Sequence, residues 1–176
     1  MEAGRDHGRR AARHLRLLPR PGGRQPRSVG VVIEHIGSTA VPGLAAKPII
    51  DIMLGLPALN DIAPYIPALK SAGFHLKPQM AAAMPDRHYF AKPAAHPRKV
   101  HLHAVQLDSG FWRDKLAFRD ALRADGHLAE QYADLKRQLA QNHSDDRAAY
   151  TDAKSAFIAA VLAAAAGKPH DKPLSR

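Results

Sequence analysis

The sequence predicts an α+β fold: a mixed β-sheet of about five strands, covered by helices and followed by a C-terminal region of three helices. Two observations carry this prediction. Up to about residue 107, short β-branched and apolar runs alternate with turn residues, and from Ser109 onward the apolar residues recur at helical spacing. Strands that come first along a chain and helices that come afterwards are typical of α+β domains.

The predicted strands span residues 30–36, 48–56, 73–77, 87–92 and 99–107. Between the second and third strands, apolar residues at helical spacing predict a helix that ends at Gly73. Pro64 suits the first turn of this helix, whereas Pro67 is expected to kink it, because proline has no amide proton to donate.

Three helices are predicted after the last strand. Ser109 can cap the first helix, and Asp145 or Asp146 can cap the third, since short polar side chains accept hydrogen bonds from the first amides of a helix. Gly167 is expected to end the third helix.

Composition predicts one globular domain with a flanking segment at each end. At 176 residues, of which 45% are apolar, the chain suits a single core over residues 28–167. Residues 1–27 hold eight arginines and two acidic residues in a Gly- and Pro-rich stretch, which predicts a disordered or divergent leader, and residues 168–176 form a predicted flexible tail. Because the leader holds most of the net charge of +10, the charge distribution argues against a nucleic-acid partner.

Several classes of protein are excluded by what the sequence lacks. Without cysteine there are no disulfides, thiolate nucleophiles or cysteine zinc sites, which fits a reducing cytoplasm. No apolar stretch approaches the ~20 residues that span a bilayer, and no secretory signal is recognisable. We therefore expect a cytoplasmic protein with no membrane partner.

A glycine-serine turn followed by an acidic strand carries the strongest functional signal. A β-branched run ends at Gly37-Ser38, and the next apolar run is interrupted by one carboxylate, Asp51. A carboxylate that is buried and unpaired in such a run is costly, so Asp51 requires an explanation. This order is the layout of a nucleotidyltransferase-type site, in which the turn holds phosphate oxygens and the carboxylate holds the bridging metal.

The turn itself predicts a phosphate-binding helix end. Ser38 or Thr39 can cap a short helix expected over residues 40–44, whose first amides suit a phosphate. A Gly-Ser pair is also a common turn, so an ordinary turn is the alternative.

Two histidines extend the candidate site. A two-metal transferase requires a second carboxylate two residues after Asp51, on the same face of the strand, where this chain has Met53. His101 and His103 are two residues apart on a predicted strand, so both imidazoles face one side, as in half of a metal site. One Asp with two His favours Zn²⁺, Mn²⁺ or Ni²⁺ over Mg²⁺. The alternatives are that Asp51 is a hydrogen-bonded strand residue and that the His pair is surface decoration.

Residues 34–56 closely resemble the signature of the GrpB family, which belongs to the nucleotidyltransferase superfamily. The resemblance continues along the chain through His101-Leu102-His103, Phe118-Arg119-Asp120, Tyr132, Leu135-Lys136 and Tyr150-Thr151 with Lys154. It implies a nucleotidyltransferase-like fold, a divalent metal (Mg²⁺, Mn²⁺ or Zn²⁺), and a nucleotide or another phosphorylated small molecule as the partner.

The resemblance also implies roles for individual residues. The implied catalytic and metal-ligating residues are Asp51, His101 and His103. The implied phosphate- and substrate-binding residues are Gly37, Ser38, Thr39, Lys47, Arg87, Lys92, Arg119, Lys136, Tyr150 and Lys154.

Three functions follow as hypotheses. The first is binding of a phosphorylated ligand with metal-dependent nucleotidyl transfer. The second is a catalytically inactive ligand-binding or accessory module, for example one linked to coenzyme A biosynthesis, and Met53 favours it. The third, nucleic-acid binding through residues 1–27, rests on charge alone. A kinase is excluded because the sequence has no Gly-x-x-x-x-Gly-Lys-Ser/Thr loop.

Overall fold

The structure, a computed structural model, describes residues 31–93, 99–142 and 147–167. The predicted leader and tail lie outside these ranges, and so does the capping role predicted for Asp145 or Asp146.

A five-stranded mixed sheet forms the first part of the chain, as predicted. The strands are β1 Val32–Ile36, β2 Ile49–Leu56, β3 His75–Leu76, β4 Arg87–Lys92 and β5 Lys99–Gln106. They lie in the order β1-β2-β5-β4-β3, and β2 and β5 run parallel while every other neighbouring pair is antiparallel. The parallel pair places the acidic strand β2 directly beside the histidine strand β5.

The two faces of the sheet bury different sets of side chains, because side chains alternate along a strand. One face carries the main apolar core, whose fully buried members include Ile52, Phe90 and Leu102. The other face carries a smaller cluster around Met53 and Trp112. Asp51 alternates with Ile52 and therefore lies on this second face.

The connection between β2 and β3 differs from the single kinked helix that was predicted. A 3₁₀ segment covers Leu59–Tyr65, and a short helix α1 follows over Ile66–Ser71. Pro67 lies in the first turn of α1, where a missing amide proton costs nothing, so it starts a helix instead of kinking one. Gly73 follows the helix with φ of +85°, as expected of a residue that ends a helix.

Three helices complete the described chain, as predicted: α2 Gly110–Ala124, α3 Gly126–Asn142 and α4 Arg147–Ala166. The Ser109 hydroxyl accepts a hydrogen bond from the Trp112 amide at 3.3 Å, which confirms the predicted cap of α2. The helical segments that the structure describes include none long and apolar enough to cross a membrane.

The chain divides into two compact units, the first ending at Leu116 and the second beginning at Ala117. The first unit contains the sheet and the start of α2, and the second contains the remaining helical residues. The single domain predicted over residues 28–167 stays a prediction.

Candidate functional site

The turn after β1 is built around the carboxylate of Asp51. Gly37 has φ of +73°, and a Cβ at this position would lie 2.7 Å from Asp51 Oδ2. A side chain here is therefore excluded twice, by backbone conformation and by contact. The requirement for glycine shows that the turn and the carboxylate are held close together.

The short helix expected over residues 40–44 does not form. A 3₁₀ turn covers Ser38–Ala40 instead, and neither Ser38 nor Thr39 caps it with a side chain; Gly37 occupies the cap position. Val41 has an extended backbone (φ −98°, ψ 118°) because the next residue is Pro42, which disfavours a helical conformation in the residue before it.

The Thr39 side chain ties this turn to the sheet. Its hydroxyl donates a hydrogen bond to the Ile49 carbonyl at 3.1 Å, and His35 Nε2 lies 3.0 Å from the same oxygen. Because the Thr39 proton is used toward Ile49, His35 must donate from Nε2. The Thr39 hydroxyl is thus a structural link between β1, the turn and β2.

Asp51 and His101 form a pair across the parallel strands. They are direct neighbours in the register, and His101 Nδ1 lies 3.3 Å from Asp51 Oδ1. Their side chains are 30% and 26% exposed, so solvent or a ligand reaches both groups. The Asp51 carboxylate is therefore held by the Gly37 turn on one side and by an imidazole on the other.

No second carboxylate stands on β2 beside Asp51. Met53 is 0% exposed and packs with Ile36, Val105 and Trp112, so its position belongs to the apolar cluster. Glu34 on β1 is the direct neighbour of Met53 in the antiparallel register and shares its face of the sheet. Sequence reasoning missed Glu34, because strand pairing is needed to reveal the shared face.

His103 lies among aromatic rings. Its ring centroid is 5.2 Å from that of Tyr89 and 5.8 Å from that of Phe111, and its Nδ1 is buried without a hydrogen-bond partner. Burial lowers the pKa of His103 to about 4, so the imidazole is neutral at physiological pH. Tyr89 also contacts His101, with ring centroids 5.5 Å apart.

Within residues 31–93, 99–142 and 147–167, no group of three or more His, Asp or Glu side chains is arranged to hold a metal ion. The three-ligand set predicted from Asp51, His101 and His103 is therefore not preformed. Asp51 and His101 are the pair that the structure brings together, and His103 is packed against rings.

Two basic residues lie beside the Phe111 ring, on the face of the sheet that carries Asp51. Arg87 Cζ lies 4.0 Å from the centroid of the Phe111 ring, and Lys115 Nζ lies 5.2 Å from it. Burial lowers the pKa of Arg87, and nearby Asp86 acts against this shift. Arg87 was predicted as a substrate residue, whereas Lys115 and Phe111 were not, since the start of α2 reads as an ordinary amphipathic helix.

Two other predicted substrate residues belong to this unit, Lys92 and Lys47. Lys92 lies on the opposite face of β4, 5.9 Å from the centroid of Phe74, a member of the main core. Strand alternation puts Lys92 and Arg87 on opposite faces of β4, and the substrate-binding role of Lys92 stays a prediction. Lys47 is exposed in the segment before β2.

The second unit contains its own polar cluster. Arg119 is 9% exposed and donates to both carboxylate oxygens of Asp120, at 2.7 and 3.0 Å. Lys136 Nζ lies 4.9 Å from the centroid of Tyr132. Burial, followed by the charge of Lys154, lowers the pKa of Lys136. The predicted substrate residues Arg119, Lys136 and Lys154 thus belong to the helical unit.

Tyr150, the remaining predicted substrate residue, is placed in α4. Its side chain lies outside the described part of the structure, so its predicted role stays a prediction.

Comparison with known proteins gives consistent matches. The family model described as GrpB protein matches residues 7–164. The UPF0157 protein SCO7215 of Streptomyces coelicolor is 38% identical over 74% of this chain and 67% of its own length. The glutamate-rich protein GrpB of Alkalihalophilus pseudofirmus is 35% identical over 74% of this chain and 76% of its own.

A solved structure shares the fold. The crystal structure of the conserved protein GrpB from Enterococcus faecalis superposes with a TM-score of 0.72 at 30% identity, covering 94% of this chain and 93% of that one.

Proposed function

Because this chain belongs to the GrpB family, we propose that the sheet face around Asp51 binds a nucleotide or another phosphorylated small molecule. One observation carries the proposal. The Asp51 carboxylate is held between a turn that strongly favours glycine, where a Cβ at Gly37 would lie 2.7 Å from Asp51 Oδ2, and the imidazole of His101 at 3.3 Å. Both groups remain accessible, which a purely structural ion pair does not require.

Asp51 and His101 fit one divalent cation as part of its coordination shell. One carboxylate oxygen and one imidazole nitrogen at 3.3 Å have the separation of adjacent ligands around a metal. A mixed oxygen and nitrogen donor pair favours Mn²⁺ or Zn²⁺ over Mg²⁺. When bound, the cation would neutralise phosphate charge, and phosphate oxygens or water would complete its shell.

The protein residues fix where the phosphate binds. The turn at Gly37 leaves room for the carboxylate, Thr39 anchors the turn to β2, and Asp51 presents its oxygens to the cation that would bridge to the phosphate. The buried Met53 leaves β2 with a single carboxylate on this face, which favours ligand binding over a two-metal transfer mechanism.

A second candidate function is that of an accessory module linked to coenzyme A biosynthesis. A protein named dephospho-CoA kinase from Mycolicibacterium paratuberculosis is 28% identical to this chain. The matched region covers 72% of this chain and 36% of that protein. The matched part is a minority of that protein, and this chain has no phosphate-binding kinase loop. A ligand-binding role beside such an enzyme is consistent with both facts.

Calorimetry with ATP as the probe tests the proposed function. In the presence of Mn²⁺, wild-type protein is expected to bind ATP, and Asp51→Asn should weaken the binding about tenfold or more, as expected for a lost charge-assisted contact. Asp114→Asn is the matched control, because Asp114 is exposed on α2. Absence of binding by the wild type, or equal binding by Asp51→Asn, would contradict the proposal.

The same samples separate binding from nucleotidyl transfer. Release of pyrophosphate from ATP, dependent on Asp51 and matched by transfer of the AMP group to an acceptor hydroxyl, would establish nucleotidyl transfer, whereas free AMP would show hydrolysis. Binding without pyrophosphate release would establish the binding module.

A further inference from the structure

Two buried side-chain polar atoms in the described part of the chain have no hydrogen-bond partner: Arg87 Nε and His103 Nδ1. They belong to neighbouring strands, β4 and β5, and side chains of both residues contact the Phe111 ring. The two atoms therefore share one place on the Asp51 face of the sheet.

Buried polar atoms without a partner are rare in native proteins. Each such atom destabilises the fold when it stays unpaired, and most of them are satisfied by water or a ligand. Asp86 does not act as the hydrogen-bond acceptor for Arg87 Nε. Its Oδ1 lies 3.3 Å from Arg87 Nε without forming a hydrogen bond, and its side chain is half exposed.

The charge around Phe111 is positive. Arg87 and Lys115 both lie over this ring, and Lys115 follows Phe111 by one helical turn on α2. His103 adds its imidazole to the same group, with its ring centroid 5.8 Å from that of Phe111. Two cations and one neutral imidazole thus surround a single aromatic ring, and both orphaned atoms belong to this group.

We propose that Arg87, His103 and Lys115, gathered around Phe111, form a second anion subsite that binds an oxyanion group of the ligand. In this subsite Arg87 Nε–H and a protonated Nδ1 of the neutral His103 donate hydrogen bonds, and Lys115 supplies charge. This assigns His103 to ligand binding instead of metal ligation. The assignment deepens the proposed function and rests on it, since the ligand then carries a second anionic group apart from the phosphate at Asp51.

The chemistry of the subsite suits a phosphate or a carboxylate equally. Arginine binds either anion through directed N–H groups, and lysine binds either as a point charge. Nucleotides with an additional terminal phosphate and phosphorylated acids both carry such a second group.

Inorganic phosphate and acetate are the probes, each titrated in the presence of EDTA so that no metal takes part. The readout is the ¹⁵N resonance of His103 Nδ1 in histidine-labelled protein, together with the dissociation constant. Phosphate or acetate should shift this resonance, and the tighter of the two identifies the preferred group. Arg87→Met and Lys115→Met should each weaken binding about tenfold, the loss expected for one charge-assisted contact.

The controls separate this subsite from its surroundings. Lys70→Met removes an exposed lysine of α1, whose Leu69 packs in the main core on the other face, and should leave anion binding unchanged. Circular dichroism verifies that each variant folds. If Arg87→Met does not fold, Lys115→Met alone provides the test. If an internal water, and not an anion, is the partner of His103 Nδ1, the His103 resonance should not shift when the anions are added. That result would overturn the proposal. Unchanged affinity in the folded variants would overturn it as well.

Asp51→Asn distinguishes the two proposals. It should weaken Mn²⁺-dependent ATP binding about tenfold or more while leaving metal-free anion binding in place. If the wild type binds phosphate through Arg87 and Lys115 but no nucleotide, the subsite stands and the proposed function is wrong. If nucleotide binds but the His103 resonance does not respond to the anions, the proposed function stands and the subsite is wrong.

Discussion

At the scale of single residues, the candidate site depends on what surrounds the Asp51 carboxylate. A glycine contact on one side and the imidazole of His101 on the other hold it in place without burying it. The sequence identified Asp51 and His101 because a carboxylate and a histidine pair interrupt apolar strands. It did not identify Phe111, whose role depends on where α2 packs.

A glycine pair tests the close contact at the turn. Gly37→Ala should destabilise the protein by about 2–3 kcal/mol, because it combines a positive φ with a clash at Asp51. Gly43→Ala is the matched control: its φ is +79° with nothing within 4 Å of the added Cβ, so about 1 kcal/mol is expected. Urea unfolding measures both, and equal losses would show that the contact with Asp51 is unimportant.

The neutral state of His103 predicts a dependence of stability on pH. Its folded pKa, about 4, lies below the ordinary 6.5, so the unfolded chain binds more protons between these values. The contribution of His103 is complete above pH 6.5 and is lost as pH falls toward 4, by up to about 3 kcal/mol. The groups that act on it are Asp51, Arg87, His101 and Lys115.

Urea unfolding at pH 7 and pH 4.5 checks this prediction. His103→Gln should flatten the loss of stability relative to wild type, whereas His127→Gln, at an exposed position of α3, should not. Equal losses of stability between pH 7 and pH 4.5 in wild type and His103→Gln would show that folding does not lower the pKa of His103.

At the scale of elements, the parallel pairing of β2 with β5 creates the site. The alternation of apolar residues predicted both strands to within two residues, since this pattern is local. Their pairing joins segments that are distant in sequence and cannot be derived from local pattern. Lys92 is a different case, because alternation along its own strand already places it opposite Arg87.

Prolines account for the local errors. Val41 is extended before Pro42, which prevents the helix expected over residues 40–44. Pro67 lies in the first turn of α1 and begins it.

Close packing between β2 and α2 gives a prediction at this scale. An added Cβ at Gly55 would contact the Leu107 side chain and would lie 2.8 Å from Trp112 Cζ3. Gly55→Ala should therefore cost about 1–3 kcal/mol through overpacking. Denaturant unfolding measures the loss, and the fluorescence of Trp112, the only tryptophan, reports the displacement. Unchanged stability and emission would contradict this packing.

At the scale of the whole molecule, the chain combines a sheet unit and a helical unit, each with its own basic residues. Arg87 and Lys115 belong to the first, and Arg119 and Lys136 belong to the second. Family membership and fold are established by the match over residues 7–164 and by the shared architecture of the Enterococcus faecalis protein. The central claim is that the first unit binds a phosphorylated ligand through a cation held by Asp51 and His101.

Anomalous diffraction from crystals soaked with Mn²⁺ and ATP tests this claim most directly. We expect one manganese peak at about 2.0–2.2 Å from both an Asp51 oxygen and His101 Nδ1, with phosphate oxygens completing its shell. Manganese bound elsewhere on the protein, or ATP bound without contact to Asp51, would contradict it.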